Sequence, residues 1–152
     1  MQNPFGAALA EKSILVQAHA VDWRDAITLC GDALVAAGVT TNVYTAEMIK
    51  TIEDLGPYVV IAPNIALAHS RPSPAVLRTG LSWVTLAEPV CFGNEANDPV
   101  SLIIGLAATD HDGHLAIMSA LAGVLSDSTA LASLRAATTA SGVREQLLSY
   151  AA

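Results

Sequence analysis

Residues 56–74, GPYVVIAPNIALAHSRPSP, set His69 directly behind an apolar run and follow it with Ser70, Arg71 and Pro72. A second histidine cluster, Asp110-His111-Asp112-Gly113-His114, follows the most apolar segment of the chain, 100–108. Imidazole titrates near neutral pH and its unprotonated nitrogen is a nucleophile. Asp112 is a suitable N-cap for a helix carrying Leu115, Met118, Leu121, Ala122 and Leu125. That cap puts His114 in the first helical turn, where backbone N–H groups and the helix dipole favour an anion. Two loops that follow apolar strands can meet at one edge of a sheet. His69, His114 and the helix start would then form a small anion-binding pocket. Arg71 is either a clamp for a phosphoryl group or a surface residue of a proline-rich turn.

Other chemistries compete for the same residues. His69, His111, His114, Asp110 and Asp112 are all metal-ligand types, but HDGH spaces its histidines three apart across a helix start and lacks the HExxH pattern of zinc hydrolases. A Ser-His-Asp hydrolase is weaker still. There is no G-x-S-x-G motif, and Ser70, adjacent to His69 in the chain, is poorly placed to use that ring as its base. His19 reads as a strand-end or surface residue. Asn94, Asn97 and Asp98 read as loop formers.

Those side chains need a scaffold, and the composition supplies one. At 152 residues the chain has room for one domain with a core. A hydrophobic share of 53% against 14% charged residues argues against disorder. The net charge of −7, with seven scattered basic residues, argues against nucleic-acid binding. No apolar run reaches the roughly 20 residues of a membrane helix, and the N-terminus shows no basic-then-apolar leader pattern, so a cytoplasmic protein is expected. Cys30 and Cys91 lack CxxC spacing and both have apolar neighbours, which predicts two buried, reduced thiols.

The pattern along the chain is mixed. Residues 1–13 read as a short helix or an arm. Ile14, Val16, Ala18 and Ala20 alternate with Leu15, Gln17 and His19, as in a strand. Asp22 caps a helix carrying Trp23, Ile27, Leu34 and Ala37, and Gly38 ends it by a left-handed turn. Thr45 is the expected cap of a second helix with Met48, Ile49, Ile52 and Leu55 inside, stopped by Gly56-Pro57. Residues 58–62 predict a strand buried on both faces, resumed at 65–67 after Pro63-Asn64. A strand follows over 77–86, then a turn at Glu88-Pro89, a short strand at 90–92, a polar loop at 93–99 and the central strand at 100–108. Asp127 or Ser128 and then Ser141 start the last two helices. Interspersed strands and helices predict a single α/β layered domain.

At this point the motifs carry a resemblance. IALAHSRP at 65–72, followed by NDPVSLIIGLAATDHDGHLAIMSALAGVLSD at 97–127, resembles the mannitol/fructose-type (type 2) enzyme IIA domains of the bacterial phosphoenolpyruvate-dependent sugar phosphotransferase system. The L-ascorbate branch is the most similar. Its GPY-x-x-x-AP-x-IA-x-x-H-x-RP stretch is matched by Gly56, Pro57, Tyr58, Ala62, Pro63, Ile65, Ala66, His69, Arg71 and Pro72. Phe92, Gly93 and residues 97–100 match FG-x-x-x-NDPV, and residues 106–108, Asp110 and His114 match the LAA-x-D…H element. The resemblance spans residues 14–137.

It implies a cytoplasmic phosphocarrier with a mixed sheet flanked by helices on both faces. His69 corresponds to the phosphorylated histidine and His114 to the one that stabilises the phosphoryl group, with Arg71 and Ser70 as candidate phosphate contacts. The implied donor is the histidine phosphocarrier protein, the implied acceptor a cysteine of enzyme IIB, with enzyme IIC in the membrane. No metal or cofactor is implied, since the phosphoryl group comes from phosphoenolpyruvate through the general proteins of the system. The branch implies L-ascorbate or a related sugar or polyol. Two features depart from the family. Ala68 stands where a proline usually precedes the histidine, and residues 50–53 carry no Arg-Glu pair. A flat apolar rim is expected around the nitrogen, with Ile65 and Leu67 as candidates. The apolar content permits a homodimer without requiring one. The competing readings are a phosphorylation-dependent regulatory domain of the same fold and a metal-dependent hydrolase.

Overall fold

The computed structural model describes residues 4–150. Its strands are β1 (Ile14–Ala18), β2 (Val60–Ala62), β3 (Ile65–Ala68), β4 (Gly80–Val90) and β5 (Val100–Ala107). Its helices are α1 (Pro4–Ala8), α2 (Trp23–Ala36), α3 (Asn42–Leu55), α4 (His111–Leu125), α5 (Ser128–Ala136) and α6 (Ala140–Tyr150), with a 3-10 turn at Glu11–Ser13. The strands form one mixed sheet in the order β1-β4-β5-β3-β2. β3 runs parallel to β5 and β1 parallel to β4, while β4 and β5 are antiparallel. β3 and β5 therefore end at the same sheet edge, which brings His69 and residues 110–114 together. β1 ends at the opposite edge, and exposed His19 goes with it.

Alternation along each strand divides the core in two. Val100, Ile103 and Ala107 of β5 join Ala66, Ala68, Val84 and Leu86 under α2 and α3. Leu102, Ile104 and Leu106 join Ile65, Leu67, Leu81 and Trp83 under α1, α4, α5 and α6. β5 is thus covered on both faces, as its unbroken apolar sequence predicts. Each such aliphatic side chain contributes about 1.5–3 kcal/mol on burial. Small residues let α2 sit close to the sheet. Ser82, Gly105 and Ala68 lie in register across β4, β5 and β3. A Cβ at Gly105 would come within 2.3 Å of Ser82 Oγ and 2.5 Å of Cys30 Sγ on α2.

Several boundaries follow the sequence closely. Asp22 caps α2 by accepting from Asp25 N, and Gly38 takes φ +74° just beyond its end. Gly56, at φ +87°, closes α3. Asp127 caps α5.

Other expectations are corrected. α3 starts at Asn42 behind Thr41, so Thr45 is not its cap but a buried helical residue packed against Gly31 of α2. Leu55 is not on the inner face of α3; it is 71% exposed. The strand at 58–62 is not buried on both faces. β2 is a three-residue edge strand in a hairpin with β3, turned by Asn64 at φ +69°, and Ile61 faces out. Beside it β3, like β5, is buried on both faces, and every residue of β3 is buried. Glu88-Pro89 does not turn the chain; β4 runs through it to Val90 past an irregularity in its pairing, as proline on a disrupted ladder can. Of the expected 90–92 strand only Val90 is in β4; Cys91 and Phe92 lie outside any strand. Helix α6 begins at Ala140, not Ser141, and Thr139 Oγ1 accepts from Gly142 N. Cys30 is buried as expected, whereas Cys91 is exposed. Residues 1–3, part of the expected arm, lie outside the described residues, and α1 follows them.

Candidate active site

A cleft of about 420 Å³ opens at the edge where β3 and β5 end. His69, Ser70, Arg71 and Pro72 line it from the β3 loop, Asp110, His111 and His114 from the start of α4, and Thr51, Leu55 and Tyr58 from the end of α3 and the turn beyond it. All four proposed site residues thus share one cavity. His111 joins them, so the chain presents three imidazoles to a single space.

His69 is the first residue past β3 and is half-buried. Its Nδ1 lies 2.9 Å from the carbonyl oxygen of Leu67. A carbonyl only accepts, so in the neutral ring Nδ1 carries the proton and Nε2 is left unprotonated. The Tyr58 ring meets the imidazole edge-on, with centroids 5.6 Å apart and planes at 83°. One bond and one ring contact therefore hold the orientation of a side chain that has a free nucleophilic nitrogen. Ala68 needs no proline to fix the backbone before it. It is fully buried and paired with Gly105 in the β3–β5 ladder.

The helix start is capped by Asp110 rather than Asp112. Asp110 accepts from Gly113 N at 2.7 Å, and its carbonyl takes His114 N at 3.2 Å. His114 is consequently the fourth residue of α4, with its amide already committed to the helix. The helix-start amides left facing outward are those of His111 and Asp112. Thr79 braces this turn, since its Oγ1 accepts from Thr109 N at 3.1 Å.

Ser70 and Arg71 differ in freedom. Thr51 Oγ1 donates to the Glu47 carbonyl at 2.8 Å, so Ser70 Oγ, 3.1 Å away, donates to Thr51 and is tied to α3. Arg71 is exposed and makes no ion pair among the described residues. Of the helix that lacks the Arg-Glu pair, Glu53 pairs instead with Arg24 at 2.9 Å and Lys50 with Asp54 at 3.1 Å. Ile65 and Leu67 are core residues, 2% and 3% exposed, and do not form a rim. The apolar rim consists of Leu55, Tyr58 and Pro72. Spacing could not find these three, because burial periodicity in α3 assigns Leu55 to the inside and exposure depends on the sheet edge above it.

Among the described residues, no three His, Cys, Asp or Glu side chains gather closely enough to hold a metal ion. No single helix among them is long and apolar enough to cross a membrane.

Behind the cleft stands Tyr44, 1% exposed, on the first turn of α3. Burial is the main cause that pushes its phenol from an ordinary 10 up to about 12, and burial likewise pushes the Cys30 thiol from 9 up to about 12. Both groups hold their proton more tightly folded than unfolded. Their contribution to stability is therefore complete below pH 9 and is lost as pH rises toward 12. Urea midpoints should fall between about pH 9 and about pH 12, and Cys30→Ala should flatten the first part of that fall. An unchanged slope in the variant assigns the fall to other groups.

The geometry has close relatives. Residues 7–150 match the family model described as "Phosphoenolpyruvate-dependent sugar phosphotransferase system, EIIA 2". The "Ascorbate-specific PTS system EIIA component" of Escherichia coli K12 is 44% identical over 108 residues, 70% of this chain and 70% of that protein. Its Salmonella typhimurium counterpart matches to the same extent. Among solved structures, the mannitol-specific cryptic enzyme IIA CmtB of Escherichia coli superposes with a TM-score of 0.84 at 27% identity, over 97% of this chain and 99% of that one. Enzyme IIAMTL in complex with phosphorylated enzyme IIBMTL from Escherichia coli superposes at 0.79 with 27% identity, over 93% and 97%. A nearly full-length family match and a shared mixed-sheet fold agree with the paired-histidine motifs, and the chain belongs to the type 2 EIIA family of the phosphoenolpyruvate-dependent sugar phosphotransferase system, whose members are phosphotransferases.

Proposed function

We propose that this chain carries a phosphoryl group on Nε2 of His69, taken from the phosphorylated histidine carrier protein and passed to a cysteine of an enzyme IIB. The observation that carries the reading is the commitment of Nδ1 to the Leu67 carbonyl, which leaves Nε2 as the nucleophile in the cleft. In the first step the Nε2 lone pair forms the N–P bond while the donor's own N–P bond breaks, and the donor imidazole keeps the electron pair. In the second step the thiolate of enzyme IIB forms an S–P bond and Nε2 is released. Such transfers ask mainly for alignment and charge stabilisation. His114, the outward amides at the start of α4 and Arg71 supply donors and charge on one side of the phosphoryl group. The apolar rim of Leu55, Tyr58 and Pro72 suits a surface that two different proteins must approach in turn.

The ascorbate-specific relatives at 44% identity support L-ascorbate as the cargo, phosphorylated downstream and never touched by this chain. The relative solved with phosphorylated enzyme IIBMTL supports enzyme IIB as acceptor, and enzyme IIC would stand behind it in the membrane, with this chain working from the cytoplasm.

The test is labelling with phosphoenolpyruvate and the two general proteins of the system. The expected product is an acid-labile, base-stable phosphate on His69 that chases onto an ascorbate-type enzyme IIB faster than onto a mannitol-type one. Phosphate on another residue, or none, overturns the reading. His114→Ala should retain the fold and slow transfer by roughly a hundredfold, the cost of one lost transition-state donor. An unchanged rate to enzyme IIB removes His114 from the site.

A further inference from the structure

The Tyr44 hydroxyl sits where the β3–β5 ladder would have its next rung. The register pairs Ala68 with Gly105 as its last step. Carried two residues on, it sets Ser70 opposite Ala107, where a parallel ladder has Ser70 N–H donating to the Leu106 carbonyl. Neither group bonds the other. Ser70 N donates to Tyr44 Oη at 2.9 Å, and Tyr44 Oη donates to the Leu106 carbonyl at 2.8 Å, with the Ser70 carbonyl a second acceptor at 3.2 Å. A phenol reaching in from α3 has replaced one hydrogen bond with two in series. The strands are thereby held apart where one leads into His69 and the other into Asp110, His111 and His114.

We propose that Tyr44 is a positioning residue for phosphoryl transfer, whose inserted hydroxyl sets the separation between His69 and the start of α4. The proposal rests on His69 being the phosphorylated residue. Tyr44 does not line the cleft and touches no reacting atom. It acts through the peptide that joins His69 to Ser70, fixing it from one side while Thr51 fixes the Ser70 hydroxyl from another. With Ala68 in place of proline, the orientation of this peptide depends on those bonds and on the ladder. Without the hydroxyl, the part-buried Ser70 N–H and the buried Leu106 carbonyl lose their partner. Either they close on each other at about 2.9 Å, narrowing the cleft, or they stay unpaired and the loop loosens. Both outcomes move His69 relative to His114.

Tyr44→Phe keeps the ring that fills the core under α2 and α3 and removes only the hydroxyl. The rate of phosphoryl uptake should fall roughly ten- to a hundredfold, as misplacement of a reacting group by about an ångström costs. End-point incorporation should still reach the wild-type amount per chain, which separates misplacement from a loss of folded protein. The ring-nitrogen NMR signals of His69 should change from a single Nδ1–H tautomer toward a mixture. In the unaltered protein, the Ser70 amide should exchange slowly with solvent, a measurement that stands even if the variant fails to fold. Wild-type uptake rate together with unchanged His69 ring signals in Tyr44→Phe, or an unprotected Ser70 amide in the wild type, overturns the proposal. The ring signals and the amide need no phosphate, so they distinguish failure of this inference from failure of the phosphohistidine reading, which alone predicts that wild-type His69 takes up label.

Discussion

Replacing His69 by glutamine should abolish phosphoryl uptake. Only one ring nitrogen of His69 is available, because Nδ1 donates to the Leu67 carbonyl at 2.9 Å. An amide nitrogen in its place has its lone pair delocalised into the carbonyl and does not attack phosphorus. Neither neighbouring histidine substitutes. His111 and His114 are fixed on α4, on the other side of the cleft from the β3 loop. The expected result is label at background level with phosphoenolpyruvate and the general proteins, in a variant whose circular dichroism and unfolding midpoint match the wild type. Since His69 is a half-buried loop residue outside both core clusters, its loss should change stability by no more than about 1 kcal/mol. Label equal to wild type would place the phosphate elsewhere.

A large effect on stability is expected at Gly105. Alanine there adds one methyl group to the central strand, facing α2. Its Cβ would stand 2.3 Å from Ser82 Oγ, 2.5 Å from Cys30 Sγ and 3.4 Å from Leu34 Cδ1. All three neighbours are fully buried, and Cys30 and Ser82 are in contact at 3.1 Å, so none has free space to turn into. Forcing a group into a packed core of this kind costs about 3 kcal/mol. For a chain of this size that lowers Tm by roughly 6–12 °C. The same substitution in a Cys30→Ala/Ser82→Ala background should cost clearly less, because the atoms it displaces are gone. An equal cost in both backgrounds would show that backbone freedom, and not packing, requires the glycine. Gly105 pairs with Ala68, so the strain also reaches the residue that precedes His69.

Much of this was readable from residue types and spacing. The apolar run at 100–108 identified the central strand, since only a strand covered on both faces tolerates so unbroken a sequence. Caps made of short polar side chains marked the starts of α2 and α5, because their bonds are local. His69 and residues 110–114 stood out as chemistry behind strand ends, and the motif pattern pointed to the family. Errors arose where local signals compete. Thr45 and Asp112 are good caps by type, but Thr41 and Asp110 come earlier in the chain and start the helices first. Residues 58–62 look like an interior strand, yet the turn at Asn64 folds them back onto the sheet edge.

What the sequence by itself determined is the chemistry. It supplied a histidine behind an apolar strand, a second histidine group at a helix start, and a two-faced core to support them. Only the tertiary structure decided how these meet. Parallel pairing of β3 with β5 placed the two groups at one edge and sent His19 to the other, a consequence of strand direction that periodicity does not encode. It assigned Leu55 to the rim and Ile65 and Leu67 to the core. It also took Tyr44, outside every motif, and set its hydroxyl between Ser70 and Leu106. That contact joins residues 26 and 62 positions away from Tyr44, and no local pattern can report a bond whose partners come together only when the sheet has formed.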